Sequence, residues 1–206
     1  MIGIVFATEA EAAPFLATGD FRAVAAAPVQ VLASPRSPHC VAISGMGKVS
    51  AALATQWLIG EHGPSRVVHA GICGALGDPR DFAPGEILRV TFASEGRPGP
   101  GIPAEAVACA SDLWPELRPA TLVTVERPVF DDALRAELLQ YGELVDMEGA
   151  VVARVARLHG VPCSIIKGIS DHAGCQDQLM LKSRLPAVSA DIARILWKEL
   201  SRNASG

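Results

Sequence analysis

Aromatic residues are scarce: Phe, Trp and Tyr together make up 5% of the 206 residues. An interior with so few of them must be filled by Ala, Val, Leu and Ile, which suits helices packed on a sheet better than a wet aromatic binding surface. Runs of Lys or Arg are also missing. With a formal net charge of -4, the chain carries no electrostatic footprint for nucleic acid or an anionic membrane. No apolar stretch is both long enough and charge-free enough to span a bilayer. The five cysteines (Cys40, Cys73, Cys109, Cys163 and Cys175) form no CxxC pair, and the apolar start MIGIVFA runs into acidic residues rather than a secretory leader. The expectation is a soluble, cytoplasmic protein acting on small neutral molecules. His172 and Cys175 have a spacing a metal could use, but no second ligand pair accompanies them, so no metal or organic cofactor is expected.

Half of the residues are hydrophobic, and the length suits one domain over residues 1–206. Apolar runs rich in β-branched residues alternate with helical patterns. MIGIVFA ends at Thr8, which can cap a helix with Glu9 and Glu11 in its first turn. Residues 22–33 and 40–44 read as strands, and GMG turns the chain into KVSAALATQWLIGEH, where Val49, Ala52, Leu53 and Trp57 recur at helical spacing. RVVHAGICGAL reads as a strand closing in a Gly-rich turn over Gly71–Gly74. Residues 92–103 read as loop, and residues 104–114 as a modest helix. Then follow the strand ATLVTVE, the helix DDALRAELLQYG, the helix EGAVVARVARLHG after LVDM, the strand VPCSIIKGISD and the terminal helix LPAVSADIARILWKEL. Such alternation predicts a three-layer α/β/α protein with a central, mostly parallel, twisted mixed sheet. Trp57, Trp114 and Trp197 read as core or interface residues.

In open α/β sheets, ligands bind outside the carboxyl ends of the strands. Those ends carry Glu9 and Glu11, the turn Gly71–Gly74, Met147 with Glu148, and Ser170 with Asp171, and almost no basic residue. Taken singly, each acid has a structural explanation, since carboxylates are comfortable at helix N-termini and in turns. Taken together they suggest hydrolysis of a glycosidic bond, in which one carboxyl protonates the leaving group and another activates water. If the leaving group is a base that accepts a proton on a ring nitrogen, Asp171 would be the acid and Glu11 the base.

Five stretches in order, IGIVFATEAEAAPF, GMGKVSAALATQ, HAGICGALGDPRDFAPGEI, VDMEGAVVARVARLHGVP and IIKGISD, resemble the motifs of the nucleoside phosphorylase and nucleosidase superfamily. The likeness is closest to the 5′-methylthioadenosine/S-adenosylhomocysteine nucleosidases. Futalosine hydrolase and the nucleosidase-like proteins of hopanoid synthesis are also similar. The resemblance implies an N-ribosyl hydrolase of 5′-modified purine nucleosides that uses no cofactor and works as a homodimer. It assigns Asp171 to purine N7 with Ser170 orienting it, Glu148 to the ribose hydroxyls, Met147 to the sugar face and Glu11 to water. Gly71 and Ile72 would line the site, and Val129 and Phe130 the base pocket. Asp146 would be structural.

Phosphorylases of the superfamily cradle phosphate with an N-terminal arginine and a hydroxyl residue in the Gly-rich turn. Here the corresponding segments are ATEAEA and GICG, with Ile72 where a serine often sits, so hydrolysis is expected over phosphorolysis. The segment 92–103, which in the methylthioadenosine enzymes helps a partner subunit close the pocket, is short. A phosphate-dependent phosphorylase and a nucleoside-binding protein without turnover are the remaining alternatives.

Overall fold

The computed structural model describes residues 1–96, 105–174 and 178–203. In chain order the elements are β1 (Ile2–Phe6), α1 (Glu9–Leu16), β2 (Arg22–Ala25), β3 (Gln30–Ala33), β4 (His39–Ile43), α2 (Lys48–His62), β5 (Arg66–Ala75), β6 (Ile87–Glu95), β7 (Ala106–Ala108), β8 (Pro119–Thr124), α3 (Asp132–Leu138), β9 (Leu144–Asp146), α4 (Gly149–Leu158), β10 (Cys163–Asp171) and α5 (Gln178–Asn203). Strands β4, β1, β5 and β10 lie parallel side by side, with Ile4 between Val41 and Val68. The antiparallel hairpin β2–β3 extends one margin through β4.

Period-2 alternation sorts the strand side chains into two layers. On one face Ile4, Phe6, Val41 and Val68 pack against Ala12 and Phe15 of α1 and Val188, Ile192 and Leu196 of α5. Phe15 is also in ring contact with Phe6 and Trp197. On the other face Val5, Cys40, Ala42 and Val67 meet Ala51, Ala54 and Leu58 of α2 and Val152, Ala153 and Ala156 of α4. The sheet does not stay open. β10 pairs antiparallel with β6, β6 parallel with β8, β8 parallel with β9, and β9 antiparallel with β5, so five strands close on themselves. This closure sets β9 against the carboxyl end of β5, with Val145 opposite Gly74 and Leu144 opposite Ala75.

Several local expectations are corrected. Residues 22–33 form two strands of a hairpin rather than one strand. The helix expected over 104–114 is replaced from residue 105 onward by β7, an edge strand that pairs Val107 with Ala93 of β6 and buries its side chain. Trp114 takes φ 53, a left-handed conformation no α-helix admits. β5 runs straight through Gly71–Gly74 instead of turning there. α5 begins at Gln178, ahead of the expected start. On α2 the buried side is Ala51, Ala54, Thr55, Leu58 and Ile59, while Val49 and Leu53 face solvent at 79% and 49% exposure. Small alanines in its first half let the helix lie close to the sheet, Leu58 and Ile59 pack farther along, and Val49 and Leu53 are left outside. No helix among the described residues is long and apolar enough to cross a membrane.

Candidate active site

The Thr8–Glu11 pair opens α1 as a reciprocal cap. The Thr8 hydroxyl accepts from the Glu11 amide, and Glu11 Oε2 accepts from the Thr8 amide (3.0 Å) and hydroxyl (2.9 Å). The same carboxylate reaches β5, where Oε1 accepts from the Ile72 amide at 3.0 Å. That approach requires a glycine beside it: a Cβ on Gly71 would sit 2.6 Å from Glu11 Oε1. Glu11 is buried and Glu9 exposed, which separates two carboxylates that the sequence leaves easy to confuse.

At the end of β9 the chain divides its acids. Asp146 points into the protein, where it accepts from the Thr124 hydroxyl (2.6 Å), the Gly149 amide (2.8 Å) and the Lys167 ammonium (2.7 Å). Thr124 in turn accepts from the Ala150 amide, so the first turn of α4 is capped from below. Glu148 stands at the N-cap, and its Oε1 accepts from the Gly47 amide at 2.7 Å. At the end of β10, Asp171 Oδ1 accepts from the Ala173 amide (2.8 Å). Ser170 Oγ lies 2.6 Å from Asp171 Oδ2 and 3.1 Å from the Cys73 carbonyl. One hydroxyl proton serves only one of these acceptors, so the pair can exchange partners as the carboxyl gains or loses a proton.

These groups share one cavity of about 280 Å³, on the scale of a small-molecule site. Glu11, Ile72, Val129, Phe130, Met147, Glu148, Ser170 and Asp171 all line it. Gly71 does not; it stands behind Glu11.

Beneath the cavity is a buried charge network. His69 Nδ1 lies 3.1 Å from the Val5 carbonyl and therefore carries the proton, leaving Nε2 to accept from Lys167 Nζ at 2.9 Å. Burial and the neighbouring ammonium hold the imidazole below its ordinary pKa, so it is neutral. Burial alone would protonate Asp146, but the Lys167 ammonium outweighs it and holds the carboxylate well below its usual range. For Lys167, burial is opposed by Asp146, Glu148 and Glu11, which keep it charged. Glu148 is pushed up to about 7 by burial and by Asp146. His69, Asp146 and Glu148 place ligand atoms within 4.8 Å of one another, as a metal site would. Here two of them, His69 and Asp146, hold the Lys167 ammonium at hydrogen-bond distance instead.

The model of the phosphorylase superfamily matches residues 1–200. The chain belongs to that superfamily. Among curated relatives of its members, the aminodeoxyfutalosine nucleosidase of Campylobacter jejuni is 26% identical over 157 residues, covering 65% of this chain and 68% of that protein. The 5′-methylthioadenosine/S-adenosylhomocysteine nucleosidase of Shewanella oneidensis is 28% identical over 203 residues, covering 84% of each. Among solved structures, a futalosine hydrolase mutant of Helicobacter pylori aligns with TM-score 0.87, 22% identity and 98% coverage of both chains. The Helicobacter pylori 5′-methylthioadenosine/S-adenosylhomocysteine nucleosidase with butyl-thio-DADMe-Immucillin-A aligns with TM-score 0.88 and 23% identity, covering 98% of this chain and 97% of that one. These two structural likenesses concern the superfamily fold.

Within this superfamily member, His69, Lys167 and Gly47 are site residues that sequence reasoning missed. A lone lysine inside the strand-like VPCSIIKGISD was the available signal, because a charged residue in an otherwise apolar buried strand requires partners. The expectation of almost no basic residue at the site is also corrected: Arg127 and Lys182, both exposed, stand on the cavity lining. His172 Nε2 lies 2.8 Å from the Phe82 carbonyl, and Cys175 falls outside the described residues. Most of the shortened segment 92–103 falls outside them too.

Proposed function

We propose that this superfamily member is an N-ribosyl hydrolase that releases the purine from a 5′-modified purine nucleoside. The observation that carries the reading is the convergence of Glu11, Glu148 and Asp171, from three separate places in the chain, on one cavity. The names of the curated relatives, nucleosidases of such nucleosides, support it.

In this reading Asp171 gives a proton to purine N7 while the C1′–N9 bond breaks and its electron pair leaves with the base. Ser170 orients Asp171, and Val129 and Phe130 flank the base. Glu148 accepts hydrogen bonds from the ribose hydroxyls, and its negative charge favours the oxocarbenium-like sugar. Met147 packs on the sugar; its thioether is polarizable without competing as a strong nucleophile. Glu11 takes a proton from the water that attacks C1′.

Hydrolysis is favoured over phosphorolysis by one contact. The Ile72 amide, a donor that could serve an anion, is already engaged by the Glu11 carboxylate. A phosphate placed there would meet a fixed negative charge rather than a free N–H.

The same proposal takes residues 1–206 as one domain working as a cytoplasmic homodimer. The exposed aliphatic row Met46, Val49 and Leu53 at the start of α2 supports the dimer, because it sits beside the cavity that Met46 lines. The test is incubation of pure protein with methylthioadenosine, adenosylhomocysteine, futalosine and inosine, with and without phosphate. Phosphate-independent base release is expected; no release from any of them overturns the reading, and strict phosphate dependence makes the protein a phosphorylase.

A further inference from the structure

Lys167 is 1% exposed, and its charge acts on Asp146, Glu148 and Glu11 together. Its ammonium and Glu11 Oε1 flank the same missing side chain: a Cβ on Gly71 would lie 3.6 Å from Lys167 Nζ and 2.6 Å from Glu11 Oε1. A lysine stem is flexible, so a buried ammonium stays in one place only where fixed acceptors hold it. Two do so, Asp146 Oδ2 at 2.7 Å and His69 Nε2 at 2.9 Å.

The choice of imidazole for the second acceptor matters. A carboxylate at position 69 would add a fourth negative charge and draw the ammonium's field away from the cavity. A protonated imidazole would repel it, and an aliphatic side chain would leave a buried N–H without a partner. A neutral ring whose proton is committed to the Val5 carbonyl offers a lone pair and no charge. The positive charge then remains available to the carboxylates on the cavity side.

We propose that His69 is a positioning residue of the hydrolytic site, holding the Lys167 ammonium beneath Gly71 so that one buried positive charge is shared among Glu11, Asp146 and Glu148. The inference rests on the hydrolase reading above. Around the ammonium stand Asp146 from β9, His69 from β5, Glu148 at the head of α4 and Glu11 from α1. The buried Cys73 thiol of β5 lies within reach of Lys167, Asp146 and Asp171; burial keeps it protonated and therefore uncharged. Loosening the ammonium removes the charge that favours ionisation of Glu148 and leaves Asp146 and Glu11 to oppose it.

The test compares His69→Leu, His69→Asn and His69→Gln with the wild type. Leucine has no acceptor, asparagine is too short to reach Lys167, and glutamine restores an uncharged acceptor. The Leu and Asn variants are expected to lose roughly 10- to 100-fold in kcat/KM, the loss typical of a partner that orients a functional group. Their acid limb of kcat/KM against pH should move upward by about one unit, and Gln should restore it. Asn keeps the test alive if Leu does not fold. An acid limb that stays in place while only thermal stability falls would overturn the proposal and make His69 a core residue. Titration of the Glu148 carboxylate by carbon NMR, in wild type and His69→Asn, needs no turnover. An unchanged titration overturns the proposal even if the hydrolase reading fails, and a shifted one supports it independently.

Discussion

Glu148 accepts a hydrogen bond from the Gly47 amide at 2.7 Å, which ties the N-terminus of α4 to that of α2 across 101 residues of sequence. A carboxylate at the head of a helix is ordinary, but here burial and Asp146 raise its pKa to about 7. The ionised form is the one that accepts from ribose hydroxyls. kcat/KM should therefore rise with pH through about 7 and fall below it with a slope of one, as protons convert the acceptor into a donor. Glu148→Gln should remove this limb and raise KM. A profile flat from pH 6 to pH 8 would sink the assignment.

Glu11 and Asp171 carry the two proton transfers. Glu11→Gln and Asp171→Asn preserve shape and remove the transfer, so each should lower kcat by about 100- to 10,000-fold with little change in affinity for an unreactive nucleoside analogue. A nucleoside-binding protein without turnover predicts the opposite pattern: loss of affinity and no catalytic effect. Isothermal titration beside steady-state kinetics separates the two.

Gly71→Ala tests whether Glu11 must sit against β5. The new methyl would lie 2.6 Å from Glu11 Oε1, so the carboxylate has to retreat from the Ile72 amide. A displacement near 1 Å at a reacting group costs about 100-fold in rate. The expected result is a turnover defect far larger than the fall in melting temperature, and equal activity would show that Glu11 need not be held there.

Asp146→Asn should damage stability first. It leaves the Lys167 ammonium buried without its counter-charge, a loss of about 3–5 kcal/mol, measurable by urea unfolding at pH 7. Because the folded state depresses the Asp146 pKa, its contribution is complete above the ordinary carboxylate range and is lost as pH falls below it. The variant should accordingly show a flatter acid limb of stability against pH than the wild type.

Much of the site was legible because local chemistry and function coincide along the chain. Thr8 followed three residues later by Glu11 is a capping signature, and that cap is also what aims Glu11 at β5. The apolar runs MIGIVFA and CVAIS mark strands from composition alone, and the structure buries both runs between two layers of helices. Where the pattern misled, the cause was tertiary. Val49 and Leu53 have helical spacing, but the sheet selected the side of α2 with alanines. Gly71 and Gly74 read as a turn, yet β5 continues through them because at Gly71 the Glu11 carboxylate occupies the space a Cβ would need.

Apolar β-branched runs, period-3.6 hydrophobicity, a helix cap and the types of residue at the strand ends thus determined the α/β class and nominated Glu11, Glu148 and Asp171, because each of these signals acts over a few residues. Only the tertiary structure decided how their charges are balanced. Closure of β9 onto β5 brings Asp146, His69 and Lys167 together from positions 77 and 98 residues away from His69. No local periodicity encodes a contact of that separation; it exists because a buried ammonium must find acceptors once the sheet has closed around it.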